Sequence, residues 1–327
     1  VGCAFEVASV TKMVTAVIIM QLVNEGQLAL DGAWSEVDGG SVSQLICENV
    51  RTWPGERFGA ATLRQLLQHT SGLPNYWDDD CRFVQLFEED ENHQWTTWEL
   101  LGFAAQMPLS CAPGERGSAQ SHRYADTNYL ILGLVIEAVT CSPLATAFRL
   151  RVFEPAGMSA SGTYCSFLEL RPGAAPPLSR RYVYQLEITG KPQHAADSFA
   201  AGGIVSTSED LGCFLRALSG GLLFPIGGLA TLEKMKSWIP TPVQGMSYGL
   251  GLMRIDLADT AGCLSGRARR KLEGHLWGHM GFGGAFAWQW DSPGHPGDGA
   301  IITGTTNNEA RCNEIMVVEV MKALGSA

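Results

Sequence analysis

Residues 8–12 read Ala8-Ser9-Val10-Thr11-Lys12 and run straight into Met13-Val14-Thr15-Ala16-Val17-Ile18-Ile19-Met20-Gln21-Leu22-Val23. The second part is apolar on nearly every side, which is the pattern of a helix buried in the middle of a protein. It is too short to span a bilayer, and Gly26 supplies a C-terminal stop. Ser9 therefore stands at the N-terminal mouth of a buried helix, with Lys12 one turn on. Residues three apart share a helix face, so the amine can reach the hydroxyl. The helix N-terminus leaves amides without partners and is electropositive, which suits an oxyanion and a neutral lysine. Ser-x-x-Lys arises by chance about once in a chain this long. Taken alone, the pair reads equally as a nucleophile with its base or as an ordinary surface Ser and Lys.

The 327 residues can bury a large core, in one large domain or two closely joined ones. Hydrophobic content of 46% and charged content of 17% describe a globular protein. A net charge of -10 speaks against nucleic acid and against an anionic membrane surface as partners. No transmembrane stretch, basic run or internal repeat is visible. Cys3, Cys47, Cys81, Cys111, Cys141, Cys165, Cys213, Cys263 and Cys312 are scattered, odd in number and without CxxC pairs. They read as free thiols, which suits a reducing, cytoplasmic setting better than a disulfide framework or a zinc site. Only eight residues precede Ser9, so the lack of a leader says little about export.

Downstream, Asp31 to Gly59 is polar and Gly-containing. Thr62 to His69 reads as a short helix with Thr62 as N-cap, stopped at Thr70-Ser71-Gly72-Leu73-Pro74. The acidic, Trp-rich stretch from Trp77 to Trp98 reads as a surface segment over a cleft, helical in part. Pro113-Gly114-Glu115 opens a loop carrying Tyr124-Ala125-Asp126, and an apolar helix follows from Tyr129 to Val139. Arg171 to Pro177 is a Pro-rich loop. An amphipathic helix is expected over Leu211 to Leu218, and strands over Ser247–Ile255, His275–His279, Ala285–Trp290 and Ala300–Thr305. A last helix spans about Glu314 to Leu324. One deep helix early, helices in the middle and strands late make an α/β sandwich with a helical insertion.

Several stretches together resemble one family: Ser9-Val10-Thr11-Lys12, Leu66 to Pro74, Tyr124 to Tyr129, Phe153 to Met158, Gly202 to Thr207, Tyr248-Gly249-Leu250-Gly251 and Gly278-His279-Met280-Gly281. The chain is similar to the serine β-lactamase-related hydrolases: class C β-lactamases, D-alanyl-D-alanine carboxypeptidases, D-aminopeptidases and family VIII carboxylesterases. The likeness runs in order over nearly the whole chain. It implies an α/β (α+β) sandwich in which helices flank an antiparallel sheet. Residues 1–60 and 200–327 would form the sheet region and 61–199 a mostly helical region, with the active site between them. It implies that Ser9 is the acylated nucleophile, Lys12 its base and Tyr124 a second base that relays a proton to the leaving group. His279, Met280 and Gly281 match the third motif, and the N–H groups of Phe282 and Ser9 would form the oxyanion hole. No cofactor is implied. The residues alone leave His275 and His279 open as a metal pair, although a Gly-rich strand without a nearby acidic or Cys ligand suits this poorly. Gly-x-Ser-x-Gly is absent, which speaks against an α/β-hydrolase.

Three departures shape the expected activity. Asp126 stands where the family has a neutral Asn, close to the lysine. His279 and Met280 replace a Lys/Thr pair that suits an anionic carboxylate. The strands that the family places ahead of Ser-x-x-Lys have no room here, so either the chain is a partial reading frame or the sheet is smaller, with an edge exposed or paired with a second copy of the chain as a homodimer. The reading is a serine hydrolase for small, uncharged acyl esters, a carboxylesterase. Its rivals are a β-lactamase or D-amino-acid peptidase or amidase and, from another class, a non-catalytic acyl-binding or sensor protein of the same fold.

Overall fold

The computed structural model describes residues 2–77, 81–90, 92–112, 115–160, 162–183, 185–191, 199–260 and 274–308. Strand β1 (Phe5–Glu6) leads through a 3-10 turn, Ala8–Val10, into helix α1 (Thr11–Asn24). Helices α2 (Ser41–Asn49), α3 (Gly55–Gly59), α4 (Leu63–Leu67), α5 (Cys81–Glu89), α6 (Thr97–Ala105), α7 (Asp126–Thr140) and α8 (Leu144–Phe148) follow. Next come strands β2 (Tyr164–Cys165), β3 (Tyr182–Val183), β4 (Leu186–Glu187) and β5 (Ile204–Ser206), then helices α9 (Ser208–Ser219) and α10 (Gly228–Met235). The remaining elements are β6 (Ile239–Pro240), β7 (Met246–Tyr248), β8 (Met253–Asp256), α11 (Leu257–Thr260), β9 (His275–Gly281), β10 (Ala285–Asp291) and β11 (Ile301–Thr305).

The late strands form a six-stranded antiparallel meander in the order β11-β10-β9-β8-β7-β6, and β1-β5-β2 make a smaller sheet. Helix α1 is buried along its length, from Thr11 to Leu22, as its all-round apolar sequence requires. Its few polar groups pin loops to it. Thr15 Oγ1 donates to the Ala200 carbonyl at 2.7 Å, and Gln21 Nε2 donates to the Leu223 carbonyl at 2.6 Å. Gly26, at φ +74°, ends the helix as expected. The N–H of Gln27 returns to the Leu22 carbonyl at 2.9 Å. Thr62 caps α4 through a reciprocal box with Gln65.

Three expectations are adjusted. Asp31 to Gly59 is not merely polar connection: α2 buries Val42 and Ile46, and Trp34 Nε1 donates to the Phe58 carbonyl at 3.0 Å. The Trp-rich stretch is not a plain surface segment. Fully buried Phe83 lies 5.1–5.3 Å, ring to ring, from Tyr76, Trp77, Trp95 and Phe103, an aromatic cluster that joins α5 to α6. The strand expected over Ser247–Ile255 is two strands, β7 and β8. Gly251 breaks it at φ +75°, where a Cβ would collide with Ala16 of α1. The expected helix at Glu314–Leu324 and the Pro113-Gly114 loop start lie outside the described residues. Among those residues, no single helix is long and apolar enough to cross a membrane.

Candidate active site

Ser9 sits on the 3-10 turn between β1 and α1, just after Ala8, whose φ of +45° is unusual for a residue with a side chain. That turn swings Ser9 to the partly open face while Lys12, on the first turn of α1, points inward and has no solvent exposure. Lys12 Nζ lies 2.9 Å from Ser9 Oγ, 2.8 Å from the Ala201 carbonyl and 2.6 Å from Asp126 Oδ1. The first two are hydrogen bonds donated by the amine, and the third is an ion pair with the carboxylate. The same nitrogen stands over two aromatic faces, 5.0 Å from the Tyr124 ring centre and 5.5 Å from that of Tyr129.

Asp126 is the first residue of α7, where the helix end favours a carboxylate. Its N–H donates to Asn75 Oδ1 at 3.3 Å, and its carboxylate turns toward Lys12. Tyr124 is held from below by His69, whose ring lies 4.2 Å away at an angle of 30°. His69 itself adopts φ +56°, and its Nδ1 accepts the Ala125 N–H at 3.1 Å. The end of α4 and the start of α7 are thereby locked together beneath the tyrosine.

On the opposite wall, β9 brings His279 and Gly281 to the turn that carries Ser9. A Cβ at Gly281 would collide with the Val7 carbonyl, so only glycine lets the strand approach this closely. His279 is fully buried. Its Nδ1 lies 2.6 Å from the Met280 carbonyl, which can only accept, so Nδ1 carries the proton. Its Nε2 then accepts from the Tyr248 hydroxyl at 2.9 Å. Burial, reinforced by the Lys12 charge, pushes the His279 imidazole down to about 3. Burial pushes His122 down to about 4, with the Arg123 charge adding to it. Burial holds His69 well below the usual range, with further contributions from His122, Lys12 and His279. The Tyr248 and Tyr129 hydroxyls are pushed up, chiefly by burial, and stay protonated. Around the buried Lys12–Asp126 pair the site is therefore a shell of neutral rings.

Of the residues singled out in the sequence, Ser9, Lys12 and Asp126 are in direct contact, and Tyr124 covers Lys12. His279 reaches the group through Tyr248, with its ring 6.3 Å from that of Tyr124. Phe282 lies on the β9–β10 hairpin turn, 39% exposed. His275 and His279 have separate partners: His275 faces Asp291 at 3.8 Å, while both nitrogens of His279 are engaged elsewhere. The sequence marks no role for Tyr248, Tyr129 or the Ala201 carbonyl, and His69 reads there as a structural histidine. Tyr248, Tyr129 and His69 do lie within stretches that carried the family resemblance. Nothing local in the sequence marks a backbone carbonyl 189 residues from Lys12 as its partner.

The comparisons with known proteins agree on one family. A Mycobacterium tuberculosis protein is 30% identical over 225 residues, which is 66% of this chain and 54% of that protein. Penicillin-binding protein 4 of Amycolatopsis lactamdurans is 32% identical over 167 residues, 49% of this chain and 36% of that one. The chain thus spans about half or less of the length of the curated relatives it matches. Among solved structures, a D-stereospecific amidohydrolase from Streptomyces sp. superposes with a TM-score of 0.72 at 26% identity, covering 97% of this chain and 86% of that one. The D-amino acid amidase of Ochrobactrum anthropi, at 23% identity, has a TM-score of 0.65 over 88% of this chain and 73% of its own. The Beta-lactamase family profile matches residues 3–305, nearly the whole chain, and this chain therefore belongs to the beta-lactamase family of serine hydrolases.

Proposed function

We propose that the protein hydrolyses small acyl esters through an acyl-enzyme on Ser9, and that substrates with a negatively charged acyl part are disfavoured. The observation that carries this is the bridge from Ser9 Oγ through Lys12 Nζ to a buried carboxylate, Asp126. In the proposed cycle Lys12, in its amine form, takes the Ser9 proton as Oγ bonds to the acyl carbon. The N–H groups of Ser9 and Phe282 receive the oxyanion. The bond to the leaving alkoxide then breaks, and Tyr124 relays a proton to the departing oxygen. Water attacks the acyl carbon in the second half, releasing the acid and restoring the Ser9 hydroxyl.

Two side chains disfavour a substrate carboxylate. Lys12 already faces Asp126 at 2.6 Å, so its charge is satisfied inside the protein. His279 is neutral and has both nitrogens bonded. Neither is available as a counter-ion to a substrate carboxylate, the feature shared by β-lactams and peptide C-termini. A second reading, hydrolysis of small D-amino-acid amides, is favoured by the likeness to the Streptomyces amidohydrolase at 26% identity. Such amides also lack a carboxylate.

Rates on p-nitrophenyl butyrate, D-phenylalanine amide and nitrocefin test the ranking. The ester is expected to have the highest kcat/KM and nitrocefin the lowest. A higher value for the amide selects the second reading, and a higher value for nitrocefin overturns the charge argument. Asp126→Asn sharpens the test. Removal of this negative charge, 2.6 Å from Lys12 Nζ, is expected to raise the rate on nitrocefin relative to that on p-nitrophenyl butyrate. An unchanged ratio would mean that Asp126 serves only to start α7.

A further inference from the structure

The β9–β10 turn is held by one side chain that also holds the strand leading to Ser9. Arg181 is 8% exposed. Its Nη1 pairs with Glu6 Oε2 at 3.0 Å, and its Nη2 donates to the Phe282 carbonyl at 3.2 Å. The guanidinium lies 5.1 Å from the centre of the Phe282 ring. Gly283, at φ +82°, packs on it so closely that a Cβ there would collide with Arg181 Nε. Arg181 is anchored in turn: its N–H donates to Thr189 Oγ1 at 2.8 Å, and its carbonyl accepts the Ile188 N–H at 2.9 Å.

The consequence for Phe282 follows from peptide geometry. The Gly284 N–H donates to the Gly281 carbonyl at 3.2 Å, which fixes the plane of the Gly281–Phe282 peptide. In a trans peptide the N–H points opposite to the carbonyl, so the Phe282 N–H direction is set by that plane. Arg181 fixes the next carbonyl, that of Phe282, so two successive peptides of a glycine-rich turn are held on either side of the residue. The other end of the guanidinium holds Glu6, on the strand that enters the Ala8–Val10 turn. We propose that Arg181 is a positioning residue that sets the two oxyanion-hole amides, Phe282 N–H and Ser9 N–H, at a fixed separation. This inference rests on the acyl-enzyme reading above. A lysine in its place could pair with Glu6 but lacks the fork needed to hold the Phe282 carbonyl as well.

The experiment compares Arg181→Met, Arg181→Lys and the double variant Glu6→Gln/Arg181→Met with wild type. The readouts are kcat and KM for p-nitrophenyl butyrate, inhibition by a phenylboronic acid, whose tetrahedral serine adduct fills the oxyanion hole, and Tm. The double variant leaves no unpaired buried charge and is expected to keep a Tm close to wild type. In all three variants kcat is expected to fall by about 10- to 100-fold with KM within about threefold, and the boronate affinity to fall in parallel. Wild-type kcat and boronate affinity in the double variant would overturn the proposal, as would losses that are rescued in full by Arg181→Lys. Labelling of wild type by a fluorophosphonate separates the two levels. If Ser9 is not labelled, both the functional reading and this inference fall; if it is labelled and the variants react normally, this inference falls alone.

Discussion

Acid is expected to unfold this protein steeply, beginning below about pH 6.5, well above the carboxylate range. His69, His122 and His279 are all buried, neutral and depressed, to about 4 for His122 and about 3 for His279. In the unfolded chain each takes a proton near pH 6.5, and in the folded state none does until much lower pH. The stability that comes from keeping them neutral is fully present above the unfolded value and is lost as pH falls toward the folded ones. Each histidine contributes a slope on the order of 1 kcal/mol per pH unit. The three together should lower Tm by about 5–10 °C per unit between about pH 6 and about pH 4.5. Thermal melts across that range check it. His122 Nε2 has no hydrogen-bond partner among the described residues, so His122→Phe should be tolerated and should flatten the slope by roughly one proton's worth. A Tm that stays level down to about pH 4.5 would contradict the burial of neutral imidazoles.

Lys12→Met should lower kcat/KM by about 1,000-fold or more, the range for loss of a general base. It should also leave Asp126 buried without its cation, at a cost of about 3 kcal/mol. The two effects separate in a second variant. Lys12→Met/Asp126→Asn removes both charges and is expected to regain most of the stability while remaining inactive. Recovery of activity in the double variant would show that Lys12 acts only as a partner for Asp126. Kinetics and thermal melts on the same two preparations decide this.

How much of this was legible beforehand follows from where each signal lies. The buried helix α1 was legible because its apolar residues continue around every face, and its end was legible from Gly26. The contact between Ser9 and Lys12 was legible from a spacing of three. The nearness of Asp126 to Lys12 depended on the family resemblance, since 114 positions separate them and only the packing of α7 against α1 brings them together. The partners of Tyr248 and His69 were hidden for another reason: they are contacts between distant segments of the chain, Tyr248 with His279 and His69 with Tyr124. The aromatic cluster around Phe83 was misjudged because its rings alternate with acidic residues, and local polarity says nothing about which face turns inward. The split at Gly251 was missed because two glycines in a strand pattern, Gly249 and Gly251, give no sign of the helix that Gly251 must pass.

The central claim is a covalent acyl-enzyme on Ser9, and intact-mass spectrometry tests it most directly. Wild type and Ser9→Ala are exposed to a fluorophosphonate probe and to p-nitrophenyl butyrate, and circular dichroism checks that the variant is folded. One adduct per chain is predicted on wild type, mapping to the peptide that contains Ser9, and none on Ser9→Ala. Labelling of Ser9→Ala at the wild-type rate, or an adduct on any other residue, would contradict the account.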